Sequence, residues 1–134
     1  MAEPDDPMFL DVEDVLELHA AQLELFGGSA GLRDRGLLES AVAQPQTSFG
    51  DVFAHEGLFA MAAAYLFHIV SNHPFVDGNK RAGLLAALVF LDVNGISIDQ
   101  PSEALYELTM AVAQGRIGKP GIATELERIA RQAT

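Results

Sequence analysis

Three observations predict an all-α domain. Apolar residues recur at three- and four-residue intervals over most of the chain. Residues that cap helices precede the periodic stretches, and glycine or proline ends them. Two alanine-rich apolar runs, 58–70 and 84–91, read as helices buried on most sides. Residues 1–8 read as a flexible tail, and 9–134 as one domain of ordinary size.

Asp11 is placed to cap a first helix running to about Phe26, with Val12, Val15, Leu16, Leu23 and Phe26 on one face. Gly27 and Gly28 stop it. Asp34 is placed to cap a short helix carrying Leu37, Leu38, Ala41 and Val42, and Pro45 ends it. The mixed segment 44–55 reads as a loop or a short two-stranded flap. Residues 56–71 form an alanine-rich central helix. Pro74 and Gly78 interrupt the helical pattern beyond it. A second buried helix runs from Lys80 or Arg81 to Asn94, with Gly95 at its end. Residues 96–98 are extended, and helices near 102–114 and 122–131 complete the chain. Helices this rich in alanine can approach closely, so a compact bundle is expected.

Composition excludes several functions. The formal net charge of −11 opposes binding to nucleic acid or to an anionic membrane surface. Neither apolar run reaches the roughly 18 residues of a membrane span. The acidic N-terminal stretch lacks the cationic and apolar regions of a signal peptide. There is no cysteine, which removes disulfides and thiolate metal sites and fits a cytoplasmic location.

Against this acidic background, Lys80 and Arg81 are adjacent cations. They close the run His73-Pro74-Phe75-Val76-Asp77-Gly78-Asn79-Lys80-Arg81, which joins the two buried helices. The run ends at a helix N-terminus, whose free N–H groups suit an anion. Gly78 lets the backbone turn and approach a ligand. Asp77 can hold Mg²⁺, and Asn79 can donate to a phosphate oxygen. His73 can take a proton from an attacking hydroxyl near neutral pH. Each residue also has a purely structural reading. His73 can end one helix, Asp77 can cap the next, Gly78 and Asn79 can form a plain turn, and both cations can be solvated. Phe75 anchors the loop in either case. A plain connector does not need a base, an acid, an amide and two cations within nine positions.

The nine residues resemble the Fic/Doc superfamily pattern His-x-Phe-x-Asp/Glu-Gly-Asn-Gly/Lys-Arg. The stretch from Phe26 to Ala41, together with Lys80 where AMP-transferring Fic proteins usually carry glycine, is more similar to the Doc branch, toxins of addiction modules. The resemblance extends over about residues 9–130. It implies a Fic/Doc-type helical bundle with His73 as general base, Asp77 as the Mg²⁺ ligand, and Gly78, Asn79, Lys80 and Arg81 around the phosphates. It implies ATP as co-substrate, phosphate transfer to a protein hydroxyl, elongation factor Tu as target, inhibited translation, and a cognate antitoxin as partner. The alternatives are Fic-type AMP transfer and a non-catalytic binding module on the same fold.

Two departures from the wider family matter. AMP-transferring members usually carry a second arginine three positions after the first, and here that position is Leu84. The self-inhibitory Ser/Thr-x-x-x-Glu pattern is not met: Ser29 is followed by Arg33 and Thr124 by Arg128 at the glutamate position. The resemblance also implies that the 44–55 flap docks a target peptide by strand addition. The high apolar content allows an exposed groove for an antitoxin helix, or reflects only the many alanines. His19 and His68 read as structural residues on apolar helices. His55 lacks a second histidine at zinc-protease spacing. Arg33, Asp34 and Arg35 either reach the pocket rim or pair on the surface, and the surface is favoured.

Overall fold

The computed structural model describes residues 6–99 and 102–132. Helices α1 (Val12–Phe26) and α2 (Arg35–Ala43) lead into a single 3-10 turn, Gln44–Gln46. Next comes a two-stranded hairpin, β1 (Ser48–Phe49) and β2 (Val52–Phe53). Helices α3 (Leu58–Asn72), α4 (Asn79–Val93), α5 (Glu103–Ala113) and α6 (Lys119–Gln132) complete the chain. The all-α expectation is met, and the flap alternative for 44–55 is the one realised. Its strands pair antiparallel, with Ser48 opposite Phe53 and Phe49 opposite Val52.

The caps explain the boundaries. Asp11 accepts from Asp14 N, and the Asp14 side chain accepts from Asp11 N, a reciprocal capping box. Asp34 accepts from Leu37 N, and the Ser102 hydroxyl accepts from Leu105 N. Three expected starts move. Helix α3 begins two residues later than expected, after Gly57. Helix α4 begins at Asn79, because Gly78 takes the cap position in a left-handed conformation. Helix α6 begins at Lys119, since Pro120 falls in its first turn, where no intrahelical N–H is needed. Residues 96–98 join no strand among the described residues.

Helix α3 is the axis of the bundle. It packs most extensively on α4 and α6, and also against α2 and α5. Both α3 and α4 are rich in buried small residues: Ala62, Ala63 and Ala64 on α3, and Ala82, Gly83, Ala86 and Ala87 on α4. At Gly83 a Cβ atom would lie 2.8 Å from Val70 Cγ2 and 3.3 Å from the Leu66 carbonyl oxygen. The two helices that flank the central loop therefore pack too closely at Gly83 to admit a side chain there.

The expected flexible tail, 1–8, needs correction at its end; residues 1–5 lie outside the described residues. Pro7 is buried. The Asn94 side chain accepts from Met8 N at 2.9 Å and donates to Met8 O at 2.9 Å. Leu10 N donates to the Tyr65 hydroxyl at 2.8 Å. These bonds tie the segment to α3 and α4, and Phe9 packs against Phe53 of the flap and Phe90 of α4.

His68 is not an isolated core histidine. Lys119 Nζ at the start of α6 donates to Nε2 of His68 at 3.0 Å and to Nε2 of His55 at 3.2 Å. Both rings are thus neutral, with Nε2 accepting. Among the described residues no helix is long and apolar enough to cross a membrane, and no group of three or more His, Cys, Asp or Glu side chains could hold a metal.

Two measurements check this packing. Gly83→Val should lower unfolding free energy by about 1–3 kcal/mol through overpacking, read by chemical denaturation. The second concerns pH. Burial, then Lys119 and His55, push the His68 pKa from 6.5 down to about 4. The unfolded chain then binds the proton first, so this stability is complete above about pH 6.5 and is lost as pH falls toward about 4. The thermal midpoint should drop across that window. His68→Gln, which keeps an acceptor for Lys119 but does not titrate, should make the drop smaller.

Candidate active site

The loop between α3 and α4 starts with a strained residue. His73 caps α3 at φ 52° and ψ 54°, the only non-glycine residue with positive φ among those described. Histidine tolerates this region better than branched residues do, but it still costs energy. His73 is exposed and lines the cavity that Asp77, Lys80 and Arg81 also line. The helix-capping and functional readings of His73 are therefore compatible.

Phe75 anchors the loop as expected. It is buried, and its ring stacks on His19 at 3.7 Å between centroids and 6° between planes. Asn79 departs from expectation. Its Oδ1 accepts from Phe75 N at 2.9 Å and its Nδ2 donates to Phe75 O at 3.0 Å, with the side chain buried. The amide that was expected to face a phosphate instead closes the loop on itself. Asn79 also offers its backbone N–H in the open first turn of α4.

Asp77 ends the loop with its carboxylate exposed. Ser29 N donates to Oδ2 at 3.0 Å and Gly78 N to Oδ1 at 2.8 Å. These two bonds, with Lys80 and His19 nearby, hold its pKa below the usual carboxylate value. Asp77 thus bonds the residue after it and the α1–α2 connector, and it stays charged. A single ionised carboxylate can serve as one ligand of Mg²⁺, which keeps much of its water when bound.

Helix α4 carries no side-chain cap, and its first turn holds Lys80 and Arg81 but no acid. Cations at a helix N-terminus oppose the helix dipole. This placement disfavours the isolated helix and favours an anion at its end. Both cations are exposed. The Arg81 guanidinium lies 4.4 Å from the centroid of the Phe26 ring, which restricts it by cation–π contact. The loop, the α4 terminus and the end of α1 line a cavity of about 520 Å³.

The connector between α1 and α2 completes the site. Pro74 O accepts from Arg33 N at 2.7 Å and Asp34 N at 3.0 Å, and Val76 N donates to Gly31 O at 3.0 Å. The Arg33 side chain donates through Nε to His73 O at 2.7 Å and through its terminal nitrogen to Asn72 O at 3.0 Å. Arg33 stays exposed, as favoured, but its partners are the last carbonyls of α3 rather than a surface charge, and it braces His73. Arg35 pairs on the surface, 3.2 Å from Glu13.

His19 Nε2 donates to Asp77 O at 2.7 Å. It is structural, as expected, but what it supports is the site. The buried side of α1 is Val15, His19 and Gln22, whereas Phe26 is exposed. The three- and four-residue spacing 12, 15, 19, 22, 26 carries that signal, because a histidine and a glutamine interrupt an otherwise apolar stripe.

A helical bundle holds a histidine-led loop against a cationic helix N-terminus, and the chain belongs to the Fic/DOC family, whose model matches residues 9–91. It is 40% identical over 127 residues to the Toxin Doc of Mycolicibacterium smegmatis, covering 93% of this chain and 95% of that protein. It is 34% identical over 120 residues to the Protein kinase doc of Escherichia phage P1, covering 87% and 91% respectively.

The strain at His73 gives a test of the loop's geometry. His73→Gly should be more stable than His73→Ala by about 1 kcal/mol, because only glycine occupies this backbone region freely. Equal unfolding midpoints for the two variants would mean that the left-handed cap is not formed in solution.

Proposed function

We propose that the chain is a Doc-like toxin that moves the terminal phosphate of ATP to a hydroxyl on a target protein and so stops translation. Elongation factor Tu is the target that the resemblance suggests. The names of the two relatives, a toxin and a protein kinase, support this reading. The observation that carries it is the exposed His73 imidazole in one cavity with the cationic α4 N-terminus.

The residues divide the work. His73 accepts the proton as the hydroxyl oxygen attacks phosphorus. The new oxygen–phosphorus bond forms while the bond to the bridging oxygen breaks, and ADP leaves. Lys80, Arg81 and the first-turn amides of α4 hold the phosphate oxygens in line. Mg²⁺, with Asp77 as its protein ligand, would neutralise charge on the phosphates. The flap offers free strand edges next to exposed Phe49 and Val52, suited to a docking peptide.

Leu84 favours phosphate over AMP transfer. It is half-buried against the core and faces the neighbouring apolar cavity, so no second guanidinium stands one turn beyond Arg81. Lys80 places a long cation where AMP-transferring relatives have only hydrogen. The sequence lacks the inhibitory helix pattern, so restraint falls to a cognate antitoxin.

With ATP labelled on the terminal phosphate, bacterial lysate should yield a labelled protein, and with the innermost phosphate labelled it should not. Label only from the innermost phosphate would establish AMP transfer instead. His73→Ala should reduce the labelling rate by at least about 100-fold while leaving nucleotide binding nearly unchanged. Expression without an antitoxin should slow growth for the native chain and not for this variant.

A further inference from the structure

Gln22 is the least reconciled polar residue in the fold. It lies on the buried side of α1, only 2% exposed. Neither Nε2 nor Oε1 has a hydrogen-bond partner in the protein. The other buried polar side chains on this side of the molecule are engaged: His19 bonds Asp77 O, and Asn79 bonds both backbone atoms of Phe75. An unpaired buried amide destabilises the fold that contains it, and an apolar side chain of the same length would not.

Its position points to a use. A Cβ atom on Gly78 would lie 2.4 Å from Gln22 Nε2 and 3.6 Å from its Cδ. The amide therefore occupies the space where a side chain at the α4 cap would sit. Gly78 has φ 80° and ψ 19°, and its lack of a side chain is what lets Gln22 reach the helix terminus. Gln22 also forms part of the wall between two cavities, the polar one beside His73 and the apolar one beside Leu84. It shares that position only with Lys80 and Arg81.

We propose that Gln22 is a phosphate-binding residue, whose amide N–H donates to an oxygen of an anion held at the N-terminus of α4. The inference rests on the phosphotransfer reading and extends its site to helix α1. The donor set then comprises the first-turn amides, the two exposed cations and one neutral donor fixed by burial. A neutral donor adds direction without more charge repulsion beside Lys80 and Arg81. It also explains a polar residue within an apolar stripe, since the unpaired amide gains its partner only when the anion binds.

Gln22→Met keeps the chain length and removes the polar group. Calorimetric titration with ATP and Mg²⁺, and separately with inorganic tripolyphosphate, should give affinities about tenfold weaker for the variant. Its thermal midpoint without ligand should equal or exceed that of the native chain. Unchanged affinities in the variant would overturn the role of Gln22 and leave the phosphotransfer reading intact. Absence of ATP and tripolyphosphate binding by the native chain would overturn both. Should the variant fail to fold, the native chain decides: its Gln22 side-chain amide resonance should shift on adding tripolyphosphate, and a resonance that does not move rejects the proposal.

Discussion

The site depends first on Asn79 folding back onto Phe75. Its amide accepts from Phe75 N and donates to Phe75 O, so the backbone between the two residues closes into a ring. This stretch lies outside the helices, with a single bridge from Phe75 to Leu32, and its buried backbone groups must find partners. Once that ring is closed, His73 at one end and the α4 terminus at the other keep a set separation. Catalysis by positioning requires such rigidity, because small errors in the approach of two groups cost large factors in rate. The Phe75 ring, buried and stacked on His19, ties the same turn to α1.

The second constraint is electrostatic. A chain with a net charge of −11 places two of its eight basic residues in the first turn of α4, where the helix dipole already repels them. Asp77 compensates in part, and its own charge is supported by two backbone N–H groups. Local stability is therefore given up to hold a site ready for negative charge. The same trade appears in the backbone strain at His73 and in the unpaired amide of Gln22. All three border one cavity.

Position in the bundle supplies the stiffness. Small residues let α3 and α4 pack closely, with Gly83 against Val70 and Leu66 just behind the loop. The α1–α2 connector runs antiparallel to the loop, with Leu32 bridging Phe75, and Arg33 binds the end of α3. The loop is thus held by both helices that it joins and by a third chain segment. Exposure at His73 coexists with burial at Pro74, Phe75 and Asn79.

The sequence by itself determined what local chemistry controls. Periodicity placed the helices, Asp11 and Asp34 marked two of their starts, and Pro74 with Gly78 located the break. The nine-residue run identified the loop and the family. Only the tertiary structure decided which way each polar group faces. Asn79 turns inward, where the motif alone suggested a phosphate ligand. His19 meets Asp77 across 58 residues of chain, and Arg33 meets His73 across 40. Lys119 joins His55 and His68 from a helix that begins near the C-terminal end. Helical propensity and capping act over a few residues, so a sequence displays them directly. Pairings between distant segments depend on how helices cross and pack. A histidine or glutamine on a helical stripe therefore reads the same whether it fills the core or supports a site.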